Sequence, residues 1–205
     1  MPRPLRTWFP GALYHIVARG DNRESVFYAW VDYRYYLNLL AQGSKRYECR
    51  VLAYALMTNH IHLVLQTGQT HPPAKPVQSM HTAYTMYMHK KYKRVGHIFQ
   101  GRYHSTLVDK DSYLLELSRY VHLNPVRAGL VRKPEQYEWS SYRVYLGSEH
   151  NRLVDSGEVL GLISAQESQQ RRLYREFVEQ GLTQPGSQPG SVPKHEKWQD
   201  HPIGV

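Results

Sequence analysis

The sequence predicts an α+β domain, because extended runs of alternating polarity interchange with stretches of helical period and two of those runs are hairpin-spaced. Residues 13 to 19, LYHIVAR, alternate as a half-buried strand does, and the GDNRE cluster after them is a turn. From Asp32 to Lys45, Tyr33, Tyr36, Leu37 and Leu40 recur at helical spacing, with Asp32 placed as the N-cap. CRVLAYALM and HIHLVLQ read as two strands separated by little more than Thr58 and Asn59, the spacing of an antiparallel pair. Beyond the proline-rich HPPAKP loop, residues 77 to 93 predict a second helix that ends basic, HKKYKR, and is stopped by Gly96. HIFQGRYHSTLV supplies another extended segment. Asp111 then caps a third helix, SYLLELSRYVHL, which Pro125 is expected to end because the residue before a proline disfavours the helical region. The order strand, helix, hairpin, helix, strand, helix fits a ferredoxin-like sandwich, a central and largely antiparallel sheet with helices packed on it.

A chain of 205 residues is expected to form one main domain with appendages. Its main body is assigned to residues 1–147 and a helical extension to 148–182, where SAQESQQRRLYREFVEQGL reads as a polar helix. Residues 183–205, which contain TQPGSQPGSVP, have the composition of a disordered tail. Lys and Arg number 26 against 17 acids, a net charge of +9, which favours polyanionic partners. Nucleic acid leads, and an anionic membrane surface is the rival. No apolar run is long enough to span a bilayer, and the start MPRPLRTWFPG lacks the apolar core of a secretory signal, so a cytoplasmic location is expected. The single Cys49 excludes an internal disulfide framework and a thiolate metal site, leaving nitrogen and oxygen ligands for any metal. Tyrosine is unusually abundant, 17 against 4 Phe and 4 Trp; such rings can stack on bases, pack at half-wet surfaces or act as a nucleophile.

The stretch MTNHIHLVLQT sets two histidines one residue apart in an apolar run. On a strand His60, His62, Val64 and Gln66 face one way, and Ile61, Leu63 and Leu65 the other. Two imidazoles on one face can present nitrogen to a divalent metal, yet the spacing alone equally suits a solvated sheet face. The third helix offers a further donor. Leu114, Leu117 and Val121 form its apolar stripe, with Tyr113, Tyr120 and Asn124 along the flank. Tyr120 and Asn124 lie one turn apart, where an amide oxygen suits Mg²⁺ or Mn²⁺ and a phenol could reach a phosphate held there. The alternative is that Tyr120 edges the core and Asn124 helps to end the helix. His122 points away from Tyr120 around the helix and is not read as a ligand, while His15 and His104 lie on strands and could approach the site, although such histidines are more often surface or packing residues.

NHIHLVL followed by YLLELSRYVHLNPVRAGLV resembles the HUH-superfamily single-tyrosine transposases, specifically the REP-associated tyrosine transposases. The likeness extends through ARGDNRESVF, GHIFQGRYHS and EWSSYRVYLG and so spans residues 8 to 147. The resemblance implies the HUH nuclease fold, with residues 1–147 as the catalytic domain. It implies His60 and His62 as metal ligands, Asn124 as the third, Tyr120 as the nucleophile and Mg²⁺ or Mn²⁺ as cofactor. The expected reaction cleaves and rejoins single-stranded DNA bearing a REP-like (REP/BIME-type) hairpin, through a covalent 5′-phosphotyrosine, in DNA transposition. Relatives occur as monomers and as homodimers that share active sites, and a nucleoid-associated location follows. The family often carries Lys where this chain has His104. Arg19, Asn22 and Arg23, the cluster Lys90, Lys91, Lys93 and Arg94, and Arg102 with Tyr103 set cations among aromatics, a composition suited to phosphates and unpaired bases. A run of lysines is also what a solvated helix end looks like. Two rivals remain: a non-catalytic nucleic-acid-binding ferredoxin-like module, against which the absence of an RNP-like aromatic motif counts, and a metal hydrolase that uses water.

Overall fold

A computed structural model of the chain describes residues 8–108, 111–149 and 151–183. Four strands, β1 (Leu13–Arg19), β2 (Arg50–Leu56), β3 (His60–Gln66) and β4 (His104–Val108), form one sheet in the order β2-β3-β1-β4, with every neighbouring pair antiparallel. Helices α1 (Trp30–Arg46) and α2 (Ala74–Tyr92) pack on each other, and α3 (Asp111–Arg127) lies across β2 and β3. The predicted α+β, ferredoxin-like architecture is present. Behind α3 stand α4 (Tyr142–Tyr145), α5 (Gly157–Ile163) and α6 (Glu167–Thr183). The tail expected to be disordered lies, from residue 184, outside the described residues.

Several element ends differ from the sequence expectation. Helix α1 begins two residues early, so Asp32 is not its N-cap but its third residue, accepting hydrogen bonds from the Tyr28 and Ala29 N–H groups at 3.0 and 2.9 Å. Helix α2 also starts early, at Ala74, and is stopped by Lys93 in the left-handed conformation (φ 54°) rather than by Gly96. Pro125 does not end α3, which runs on to Arg127. The stop is Gly129 at φ 70°, where the N–H of Leu130 reaches back to Pro125 O and that of Gly129 to Val126 O. This is a Schellman closure, and it satisfies the carbonyls left over at the helix end.

The tyrosines account for much of the packing. Tyr36, Tyr54, Tyr84, Tyr142, Tyr145 and Tyr174 are fully buried. Tyr137 and Tyr145 donate to Leu56 O and Leu52 O, each at 2.7 Å, while the Ser141 N–H bonds Tyr54 O. The otherwise open edge of β2 is thus closed by residues 137–145, which contain most of the EWSSYRVYLG motif. On β2, Ala53 and Ala55 lie beside Val64 and His62 of β3, so small side chains carry α3 close to the sheet on the histidine face. The outer side of α3 is covered as well. His122 is buried between the Tyr174 hydroxyl (2.8 Å) and the Ser141 hydroxyl (2.7 Å), and Tyr174 donates to Ser118 Oγ. Gly181 of α6 approaches so closely that a Cβ there would stand 2.7 Å from Leu123 Cδ1. The helix carrying Tyr120 is therefore held between the sheet and the C-terminal helices.

Candidate active site

Cross-strand register assembles the site. On β1 and β3, His15 sits opposite Val64, Val17 opposite His62 and Arg19 opposite His60, so these side chains share the face beneath α3. His62 and His15 are almost wholly buried, and His60 is half-buried at the sheet end. The His62 ring meets the Tyr120 ring edge-on with centroids 5.6 Å apart, and His60 lies 5.0 Å from His62. Tyr120 is half-buried, as its position between core and surface requires. Tyr113, two turns earlier, packs against the core.

The hydrogen bonds fix which atoms remain free. The Asn59 amide nitrogen donates to Arg23 O at 3.1 Å, which turns its oxygen toward His60 Nδ1 at 2.8 Å. An amide oxygen only accepts, so His60 carries its proton on Nδ1 and its lone pair on Nε2. His62 Nδ1 lies 3.0 Å from His15 Nε2. Those two rings are nearly coplanar, 12° apart, and their centroids stand 5.3 Å apart, so they meet edge to edge through the nitrogens rather than face on face. The Asn124 amide nitrogen donates to Tyr120 O at 2.8 Å, leaving its oxygen available. Imidazole nitrogen and amide oxygen are donor types that suit a hard or borderline divalent ion. Among the described residues no three His, Cys, Asp or Glu side chains are grouped to hold a metal, so the histidine pair would need the amide.

Electrostatics favour neutral imidazoles. Burial, assisted by the Arg19 guanidinium, lowers His60 from its ordinary value to about 4. Burial drives His62 well below its ordinary value, with His15, His60 and Arg19 adding to it, and burial with His104 lowers His15 to about 4. A neutral ring is the form that ligates a metal.

Two residues beside the candidate ligands have neighbours that sequence spacing does not assign. His15 lies on a strand from which it could approach the site, and its contact with His62 depends on strand register. Arg127 places its guanidinium 5.6 Å from the Tyr120 ring centroid. It lies two turns after Tyr120 on the same face of α3, a signal that the helical period carries.

The residues expected to grip DNA divide. Arg19, Asn22, Arg23, Lys90, Lys93 and Arg102 are exposed. Asn22 and Arg23 both adopt positive φ, 49° and 61°, in a turn so tight that a Cβ on Gly20 would stand 2.1 Å from Glu24 O. Lys91 is bound to the buried Asp32 at 2.6 Å, and Arg94 pairs with Glu24 and donates to the Tyr28 hydroxyl at 2.8 Å. Those two cations are committed within the protein. Tyr103 is buried and helps line a cavity of about 470 Å³ with Arg102, His81, Met86 and Phe99. His122, as expected, faces away from the site.

The fold and this site define a class of α+β protein in which a histidine-bearing strand faces a tyrosine-bearing helix. Residues 9–124 match the model of the IS200-like transposase family, and the chain belongs to that family. Among solved structures it is similar to a REP-associated tyrosine transposase determined with a REP hairpin bound, at 13% identity, covering 78% of this chain and 93% of that one with a TM-score of 0.63. That likeness is one of fold. A protein of Deinococcus radiodurans R1 assigned as a transposase is 17% identical over 58% of this chain and 95% of its own, at a TM-score of 0.42. No curated protein matches the chain. Among the described residues no helix is long and apolar enough to cross a membrane.

Proposed function

We propose that this transposase cleaves and rejoins single-stranded DNA next to a REP-like hairpin, with Tyr120 as nucleophile and His60, His62 and Asn124 holding Mg²⁺ or Mn²⁺. The observation that carries the reading is the edge-on approach of Tyr120 to His62 within one chain. The Tyr120 hydroxyl oxygen attacks a backbone phosphorus, forming a Tyr–O–P bond as the P–O3′ bond breaks. The net phenol proton ends on the departing 3′-oxygen, so the products are a 5′-phosphotyrosine and a free 3′-OH. Rejoining is the reverse attack by a 3′-OH, and no water is consumed. When bound, the divalent ion would polarise the phosphoryl oxygen and offset charge on the leaving oxygen. Arg127 beside the phenol ring and Arg19 beside His60 would supply fixed positive charge for the phosphate. Arg23, Lys90, Lys93 and Arg102 would hold the flanking backbone, a contribution that weakens as salt rises.

The test incubates the full chain with labelled REP-type hairpin DNA and Mn²⁺, then separates the products under denaturing conditions. A covalent adduct that requires Mn²⁺ and is lost in Tyr120→Phe is expected. Hairpin binding with no adduct across varied substrates would favour a non-catalytic binder. Free 5′-phosphate product surviving Tyr120→Phe would favour a hydrolase.

A further inference from the structure

We propose that His15 is a positioning residue that fixes the tautomer and ring plane of His62, so that His62 Nε2 is held as the unprotonated, ligating nitrogen. The inference rests on the proposed metal reading of the histidine pair and adds to it a residue outside the ligand set. His15 Nε2 and His62 Nδ1 are 3.0 Å apart and both rings are buried, His15 at 7% and His62 at 5% exposure. One hydrogen occupies that gap. If His62 Nδ1–H donates, its Nε2 keeps a lone pair; if His15 Nε2–H donates, His62 must carry its own proton on Nε2 and cannot ligate there. A buried metal-binding histidine commonly donates its second N–H to a carboxylate or carbonyl that fixes the ring. His60 has such a partner in Asn59, whereas the partner of His62 Nδ1 is the His15 imidazole. His15 is suited to that task by its place on the fold. It sits on β1, whose backbone is paired on both sides, opposite Val64 of β3 and Thr106 of β4. The ring is thereby held on one of the two central strands of the sheet, and the near-coplanar, edge-to-edge meeting of the two imidazoles is the geometry of an N–H···N bond.

Two substitutions separate positioning from packing. His15→Phe keeps a buried ring and removes the acceptor; His15→Gln gives up the ring and keeps an acceptor. Calorimetric titration of the full chain with Mn²⁺ in the absence of DNA is expected to show about a tenfold or greater loss of affinity in His15→Phe, the size typical of losing such a partner, with His15→Gln restoring most of it. Hairpin binding in EDTA should be the same in both variants and the parent chain. In the ¹⁵N-histidine-labelled, metal-free parent chain, His62 should be protonated on Nδ1. Mn²⁺ affinity unchanged in His15→Phe, an equal loss in both variants, or His62 protonated on Nε2 would overturn the inference alone. A parent chain that binds no Mn²⁺ would overturn the metal reading beneath it as well.

Discussion

At the scale of single residues, the site is a matter of which atoms are left free after the local hydrogen bonds are made. That His60 and His62 share a face was legible in the sequence because strand alternation is rigid, and that Tyr120 and Asn124 do because one helical turn joins them. Their service to one another was not, since it depends on Asn59, His15 and the backbone of Tyr120, contacts that register and helix packing create. Asn124 illustrates the point: its amide nitrogen is spent on Tyr120 O, so only its oxygen can serve a cation. Asn124→Ala should therefore weaken Mn²⁺ binding while leaving hairpin binding intact, which calorimetry and gel shift would measure in parallel. Arg127→Ala removes the cation over the phenol ring and should slow adduct formation by about tenfold, the worth of roughly 1.4 kcal/mol of charge stabilisation, with binding little changed.

At the scale of elements, the sequence located every strand and long helix but misjudged how several end. Pro125 reads as a stop because the residue before a proline disfavours the helical region, yet α3 passes through it and closes at Gly129, whose positive φ is the stronger terminator. Gly129→Ala should cost about 1 kcal/mol by thermal denaturation, since nothing crowds its Cβ and only the backbone conformation opposes it. Asp32 reads as a helix cap and proves to be a junction of two helices. It accepts from two N–H groups of its own segment and from Lys91, Tyr87 and Tyr92 in the last turns of α2. Burial would raise its pKa, but the bonds from Lys91, Tyr92, Tyr87 and Ala29 prevail and hold the carboxyl at about 2. Asp32→Asn should destabilise the fold by about 2 kcal/mol, since it weakens charge-assisted hydrogen bonds to a buried carboxylate, without altering the chemistry at Tyr120. The same junction explains why Lys91 could not be judged from its basic neighbours: the partner that claims it lies 59 residues away.

At the scale of the whole molecule, the C-terminal helices help to hold the helix that carries Tyr120, because α3 is clamped between them and the sheet. The sequence showed α6 as a polar helix and gave no sign of this docking, since the clasp consists of Ser118, His122, Ser141 and Tyr174, residues that look surface-bound until they are paired. Tyr174→Phe leaves His122 Nδ1 and Ser118 short of a partner and should lower stability by about 2 kcal/mol in denaturant titration. Burial lowers both His81 and His122 to about 3, against an ordinary value near 6.5. Above pH 6.5 they are neutral whether the chain is folded or not; below it the unfolded chain takes up protons that the folded one refuses. Stability should fall steadily from about pH 6.5 toward pH 3, and calorimetric melting across that interval would show it. All of this architecture converges on Tyr120, and mapping the DNA–protein bond tests the account most directly. After adduct formation with hairpin DNA, nuclease trimming and proteolysis, mass spectrometry should find the residual nucleotide on the peptide carrying Tyr120. A nucleotide on Tyr113 or on any other residue would contradict it.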